Sequence, residues 1–130
     1  MKGEKVIDSK FIDSSVWIAC VTKKSYSEII DSEERLFLSV LSIFEIKKKL
    51  IKDNITRIEI EKNMKFIKEK SIIMIPTIEI AEKVVEISYE KDMPAIDSII
   101  YSTALLNKIK LLTLDNDFRG LENVEILELK

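Results

Sequence analysis

Short, almost wholly apolar runs recur along the chain at 10–12, 36–38, 72–75, 111–114 and 124–127. Runs of this length and character predict strands buried on both faces, since a strand with one wet face would alternate. Between them lie longer amphipathic stretches. After Pro76, residues 77–91 bring Ile78, Ala81, Val84, Val85 and Ile87 close to helical period, with Glu79, Glu82, Glu86 and Glu90 opposite. Pro94 marks a break, and Ile96, Ile99, Ile100 and Thr103 repeat the spacing to about Asn107. Residues 41–52 and 56–68 also read as helices, the second with Ile60, Met64 and Ile67 on one stripe.

Strands separated by helices, with almost no hairpin signals, predict right-handed crossovers and a parallel sheet covered on both faces, an α/β class. In such sheets ligands bind at the carboxyl ends of strands, so acids and hydroxyls directly after a strand carry the functional interest. No linker, repeat or low-complexity stretch divides the chain. We therefore expect one domain over residues 1–130, with residues 1–9 a short N-terminal extension.

Composition narrows the chemistry. The 130 residues contain no His, which removes histidine acids, bases and metal ligands. A single cysteine, Cys20, excludes an intrachain disulfide and a thiolate zinc site. Gly3 and Gly120 are the only glycines, so no glycine-rich phosphate loop can form. Twenty-one basic against 23 acidic residues give a net charge of -2, so any basic patch for nucleic acid is local. No apolar run reaches the roughly 18 residues of a membrane span, and 1–10 is too charged for a secretory signal. The expected location is the cytoplasm.

Acids interrupt the apolar runs at four places. Asp13 ends the first run and precedes Ser14, Ser15 and the apolar Val16-Trp17-Ile18-Ala19, a pattern that also suits a helix N-cap. Asp8 sits in a similar Ile-Asp-Ser triplet, but only Asp13 has a strand before it and an apolar helix after it. Glu45 stands in the otherwise apolar Val40-Leu41-Ser42-Ile43-Phe44-Glu45-Ile46. A carboxylate there faces a desolvation cost unless paired or turned to the wet face that continues as Lys47, Lys48 and Lys49. Asp97 falls in a first helical turn, which alone accounts for a carboxylate by the helix dipole. Asp115 and Asp117 follow the strand ending Leu-Leu-Thr-Leu, where turn formation is the simple reading. A calcium loop fails here, because Arg119 and Ile126 occupy positions that need oxygen ligands.

Taken together, Asp13 and Asp115 are predicted at one sheet edge, with Asp97 heading the helix that enters the second strand. Clustered carboxylates repel unless they hold protons or bind a cation. Without imidazole or thiolate ligands that cation is hard, Mg²⁺ or Mn²⁺.

The motifs Phe11-Ile12-Asp13-Ser14-Ser15, Glu45 within its apolar helix, Ala95-Ile96-Asp97-Ser98-Ile99-Ile100 and Leu111-Leu112-Thr113-Leu114-Asp115-Asn116-Asp117-Phe118 resemble the PIN-domain family. This family of small metal-dependent nucleases includes VapC-type toxins. The resemblance spans about Lys10 to Leu129. It implies a three-layer fold with a parallel five-stranded sheet flanked by helices. It implies that Asp13, Glu45, Asp97 and Asp115 form the acidic set around the metal, with Asp117 a fifth member. It also implies that Ser15 and Thr113 orient those acids. The partners implied are RNA, a small antitoxin protein and a second copy of the chain.

The resulting expectation is a Mg²⁺- or Mn²⁺-dependent ribonuclease, probed for RNA contacts at Lys47, Lys48 and Lys49, with further lysines at Lys23, Lys24 and Lys52. Charge runs of this kind are usually solvated faces. A PIN nuclease of RNA processing and an inactive protein-binding module are the alternatives. A phosphoacceptor of the response-regulator kind fits less well, since the last apolar run carries its lysine only at Lys130 and no paired acids follow the first strand.

Overall fold

Each apolar run becomes a strand of one sheet, in a computed structural model that describes residues 8–128. The chain order is β1 (Ser9–Ile12), α1 (Ser14–Lys23), α2 (Ser27–Ile30), β2 (Arg35–Ser39), α3 (Val40–Lys52), α4 (Arg57–Lys70) and β3 (Ile72–Met74). It continues with α5 (Ile78–Lys91), α6 (Ala95–Leu106), β4 (Lys110–Thr113), a 3₁₀ turn (Asn116–Phe118) and β5 (Val124–Ile126). The extension before Ser9, apart from Asp8, lies outside the described residues, as do residues 129 and 130.

The sheet is parallel throughout, in the order β3-β2-β1-β4-β5. Phe11 aligns with Phe37 on one side and Leu111 on the other, so β1 is the central strand. Strand alternation divides the core between the two faces. Ile12, Leu36, Leu38 and Leu112 pack with Val16, Trp17, Ile46, Leu50, Met64 and Ile67 from α1, α3 and α4. Phe11 and Leu111 face the other way, against Ile87, Ile100, Tyr101 and Ala104 from α5 and α6. Two helical layers therefore enclose the sheet, as the unalternating apolar runs require.

Local chemistry fixes the element ends. The hydroxyls of Ser39, Thr56 and Thr77 accept hydrogen bonds from Leu41, Glu59 and Ile80 amides and cap α3, α4 and α5. β3 stops at Met74, one residue short of the predicted 72–75 run, because Ile75 precedes Pro76, which has no N–H for a ladder. The single-turn helix α2 is too short for a periodicity to reveal. Before it, Tyr26 takes a left-handed φ of 61°, and its buried hydroxyl donates to the Glu128 carbonyl. Trp17, bulky for a helix so near the acids, is completely buried and meets Phe66 edge-on at 6.5 Å.

The order in which strands are added reverses between β1 and β4. In parallel α/β sheets the crevice outside the carboxyl ends of two such strands is where ligands bind. Asp13 directly follows β1 and Asp115 lies two residues beyond the end of β4, so both acids stand at that crevice.

Candidate metal centre

Asp13 occupies the residue before α1, yet its carboxylate makes no capping hydrogen bond. Its Oδ2 instead accepts the hydroxyl protons of Ser15 at 2.7 Å and Thr113 at 2.8 Å. Each hydroxyl has one proton to give and keeps a lone pair for the backbone. Ser15 Oγ accepts from the Leu114 amide and Thr113 Oγ1 from the Asp115 amide, each at 3.0 Å. The Asp13 amide donates to the Leu112 carbonyl at 3.0 Å. These bonds lock Asp13 to the end of β4, so its orientation and that of Asp115 are set by one network. At 5% exposure the carboxylate is almost dry. Burial raises its pKa, opposed by the Ser15 and Thr113 hydroxyls and the nearby Ser15 and Ser14 amides.

Asp97 projects from the first turn of α6. Its carboxylate, that of Asp115 and that of Asp117 each offer an oxygen, and all three lie within 4.8 Å of one another. Asp115 Oδ1 also accepts the Asp117 amide at 2.9 Å, which holds the 3₁₀ turn that presents both acids. Burial, then the charges of Asp115, Asp13 and Asp117, lift the Asp97 pKa to about 6. Two full charges at that separation would repel by roughly 3 kcal/mol at an effective dielectric of 20. Among the described residues no ion pair reaches these acids; the lysines and arginines that do pair take Glu34, Asp53, Glu61, Glu59, Glu69, Asp31, Glu86 and Glu125.

Glu45 reaches the same edge from α3, half-buried, and accepts the Ser14 hydroxyl proton at 3.3 Å on Oε1. Its pKa is raised by burial first, then by Asp13, Asp97 and Asp115, with Ser14 opposing. Asp13 and Glu45 thus stand outside the close triad but within its field. Asp8 is exposed and precedes β1, its carbonyl accepting the Arg35 amide.

The donor set consists of carboxylates, with hydroxyls behind them and no thiol or imidazole. Cys20 lies on α1 and is buried in the core. Several hard oxygens converging without a compensating cation fit an oxygen-coordinated divalent metal.

The lysines are arranged differently. Lys23 and Lys24 end α1, which starts at the acid edge and returns toward the opposite one, so they lie a helix length away. On α3, Lys49 binds Asp53 at 3.1 Å and Lys48 lies over the Phe44 ring at 5.6 Å. Lys47 is two residues beyond Glu45, about 200° around the helix, and lines a surface groove with Ile51, Asn54 and Ile55.

Residues 10–124 match the PIN domain family. The chain belongs to the PIN domain family. No curated protein sequence gives a significant match. Among solved structures, the PIN domain here is similar to one titled as a toxin-antitoxin complex from Klebsiella pneumoniae. That match has 20% identity, 89% of this chain, 95% of that one and a TM-score of 0.74. VapBC2 from Rickettsia felis, bound to a DNA fragment from its promoter, gives 15% identity, 92% and 97% coverage and a TM-score of 0.72. Mycobacterium tuberculosis VapC20, titled a sarcin-ricin loop cleaving toxin, gives 15%, 92%, 98% and 0.70. At such identities the likeness is one of fold. A PIN fold with a candidate acidic metal cluster at its strand switch point is consistent with a PIN-type nuclease.

Proposed function

We propose that this PIN domain is a Mg²⁺- or Mn²⁺-dependent ribonuclease, the toxin of a toxin-antitoxin pair. The observation that carries the reading is the convergence of Asp97, Asp115 and Asp117 within 4.8 Å at the switch-point crevice, beside buried Asp13. Asp13, Asp97, Asp115 and Asp117 would hold the metal. When bound, it neutralises the non-bridging phosphate oxygens and acidifies a water. Glu45, within the field of the triad and outside it, orients the attacking water and accepts its proton. The water oxygen bonds to phosphorus as the bond to the 3′ oxygen breaks, leaving a 5′-phosphate and, after protonation, a 3′-hydroxyl. No 2′-hydroxyl attack is required, so preference for RNA rests on binding contacts. Ser15 and Thr113 keep Asp13 fixed by saturating one of its oxygens.

The toxin assignment is supported by the fold relatives, which include a toxin-antitoxin complex and a toxin. A protein partner is also supported by the surface. Phe44 and Ile51 are more than half exposed on α3, beside Lys47 and Lys48, and suit a small antitoxin. Ile78, Val85 and Tyr89 on α5 are exposed too, and suit a second copy of the chain. Among the described residues no helix is long and apolar enough to cross a membrane, and we place the protein in the cytoplasm as a single domain.

The test is cleavage of a mixed RNA pool by purified protein with Mn²⁺ or Mg²⁺, against Asp97→Asn and an EDTA control. Metal-dependent cutting with 5′-phosphate ends, lost in the variant, is the expected result. Equal behaviour of variant and wild type would end the nuclease reading.

A further inference from the structure

Glu45 needs an explanation for where it points. It is half-buried and repelled by Asp13, Asp97 and Asp115, and no cation pairs with it among the described residues. Lys48 and Lys49 stand three and four residues further along α3, the spacing at which a glutamate N-terminal to a lysine pairs favourably on a helix surface. Repulsion from the cluster and attraction to those lysines both pull Glu45 outward. The pull is not satisfied: Lys49 binds Asp53 and Lys48 covers the Phe44 ring. What Glu45 does have is the Ser14 hydroxyl, at 3.3 Å across the α1 to α3 contact.

Ser14 is well placed for this. It is the first residue of α1 and directly follows Asp13, so its backbone is fixed by the same network that fixes that acid. Its neighbour Ser15 spends its proton on Asp13. The two adjacent serines therefore divide the work, one holding each of two acids that arrive from different elements.

We propose that Ser14 is a positioning residue, which holds the Glu45 carboxylate toward the acid cluster and against the lysines of its own helix. The inference rests on the nuclease reading above. It assigns Ser14 no contact with substrate, so its effect passes through Glu45.

The experiment measures kcat and KM for Mn²⁺-dependent RNA cleavage in wild type, Ser14→Ala, Ser14→Thr, Glu45→Ala and the Ser14→Ala/Glu45→Ala double variant. Removing the hydroxyl is expected to lower kcat about tenfold with KM within about twofold, the size of effect of one hydrogen bond to a charged group. Ser14→Thr keeps the donor and should retain at least about half of wild-type kcat. In the Glu45→Ala background, Ser14→Ala should cost less than about twofold, because the group it serves is gone. Circular-dichroism melts check folding, and Ser14→Cys, with a poor donor of similar size, takes the place of alanine if that variant does not fold. Wild-type rates in Ser14→Ala, equal losses in the alanine and threonine variants, or a second tenfold loss in the double variant would each overturn the proposal. Wild type that cuts no RNA is a separate outcome. It would overturn the nuclease reading itself.

Discussion

Ser39 and Asp13 occupy matching places at the carboxyl ends of adjacent parallel strands, each directly before the helix that follows. Both are almost without exposure, at 0% and 5%. Ser39 turns its hydroxyl onto the Leu41 amide at 3.2 Å and caps α3. Asp13 leaves α1 without a side-chain cap and is gripped by Ser15 and Thr113 instead. One polar side chain has spent its capacity on the backbone. The other is buried at a desolvation cost, oriented by two hydroxyls, and in the field of Glu45 and Asp97. Folding alone would favour the arrangement at Ser39, so the one at Asp13 points to a ligand.

Paired substitutions can break this contrast. Asp13→Asn is expected to lower RNA cleavage by about 100-fold or more, as loss of a charge acting on a metal-assisted phosphoryl transfer should. Ser39→Ala should leave cleavage per folded molecule unchanged and cost about 1 kcal/mol of stability, the usual value of a helix cap. Cleavage assays beside denaturant titrations check both, and a comparable loss of cleavage from Ser39→Ala would remove the distinction. Metal binding sharpens it further. At a Mn²⁺ concentration 100 times its Kd, linkage stabilises the folded protein by about 2.7 kcal/mol. Thermal melts should show this rise in wild type and Ser39→Ala, and show it lost in Asp115→Asn. A rise that survives Asp115→Asn would place the ion elsewhere.

The same contrast explains what the sequence disclosed. Five runs with no wet face could form only strands covered on both sides, and Leu36, Phe37 and Leu38 are split between the two core layers as that pattern requires. Asp13 was legible by position, but its environment was not. Its hydroxyl partner Thr113 lies 100 residues away, and only the β1 to β4 pairing brings them together. From its local pattern Asp117 read as a turn residue, and only the family resemblance made it a fifth acid, since the 3₁₀ turn that brings its carboxylate near Asp97 is not visible in the sequence. Ser14 stood out only as part of a stretch that suits a helix N-cap, because no local pattern reports a bond to Glu45, 31 residues on. The lysine run gave composition without direction. Helical rotation sends Lys47 away from Glu45, while Lys49 is taken by Asp53.

The smallest effect separates the two regions by protonation. The Asp97 pKa lies near 6, above its ordinary 3.8, through burial and then the charges of Asp115, Asp13 and Asp117. In metal-free protein the folded state therefore binds this proton more tightly than the unfolded chain does. Its stabilising contribution is fully present below the ordinary value and is lost as pH rises through about 6. Asp97→Asn removes a group that is increasingly unfavourable over that window. In EDTA, the melting temperature of Asp97→Asn relative to wild type should rise from pH 4 to pH 7, by a few degrees since Asp97 is only partly buried. Saturating Mn²⁺ should reverse the order at pH 7, because wild type alone gains the ion. Ser39→Ala supplies the reference: a hydroxyl does not titrate here, so its gap from wild type should stay level across the same range. A level gap for Asp97→Asn as well would mean that the cluster carries no unrelieved charge and has no need of a cation.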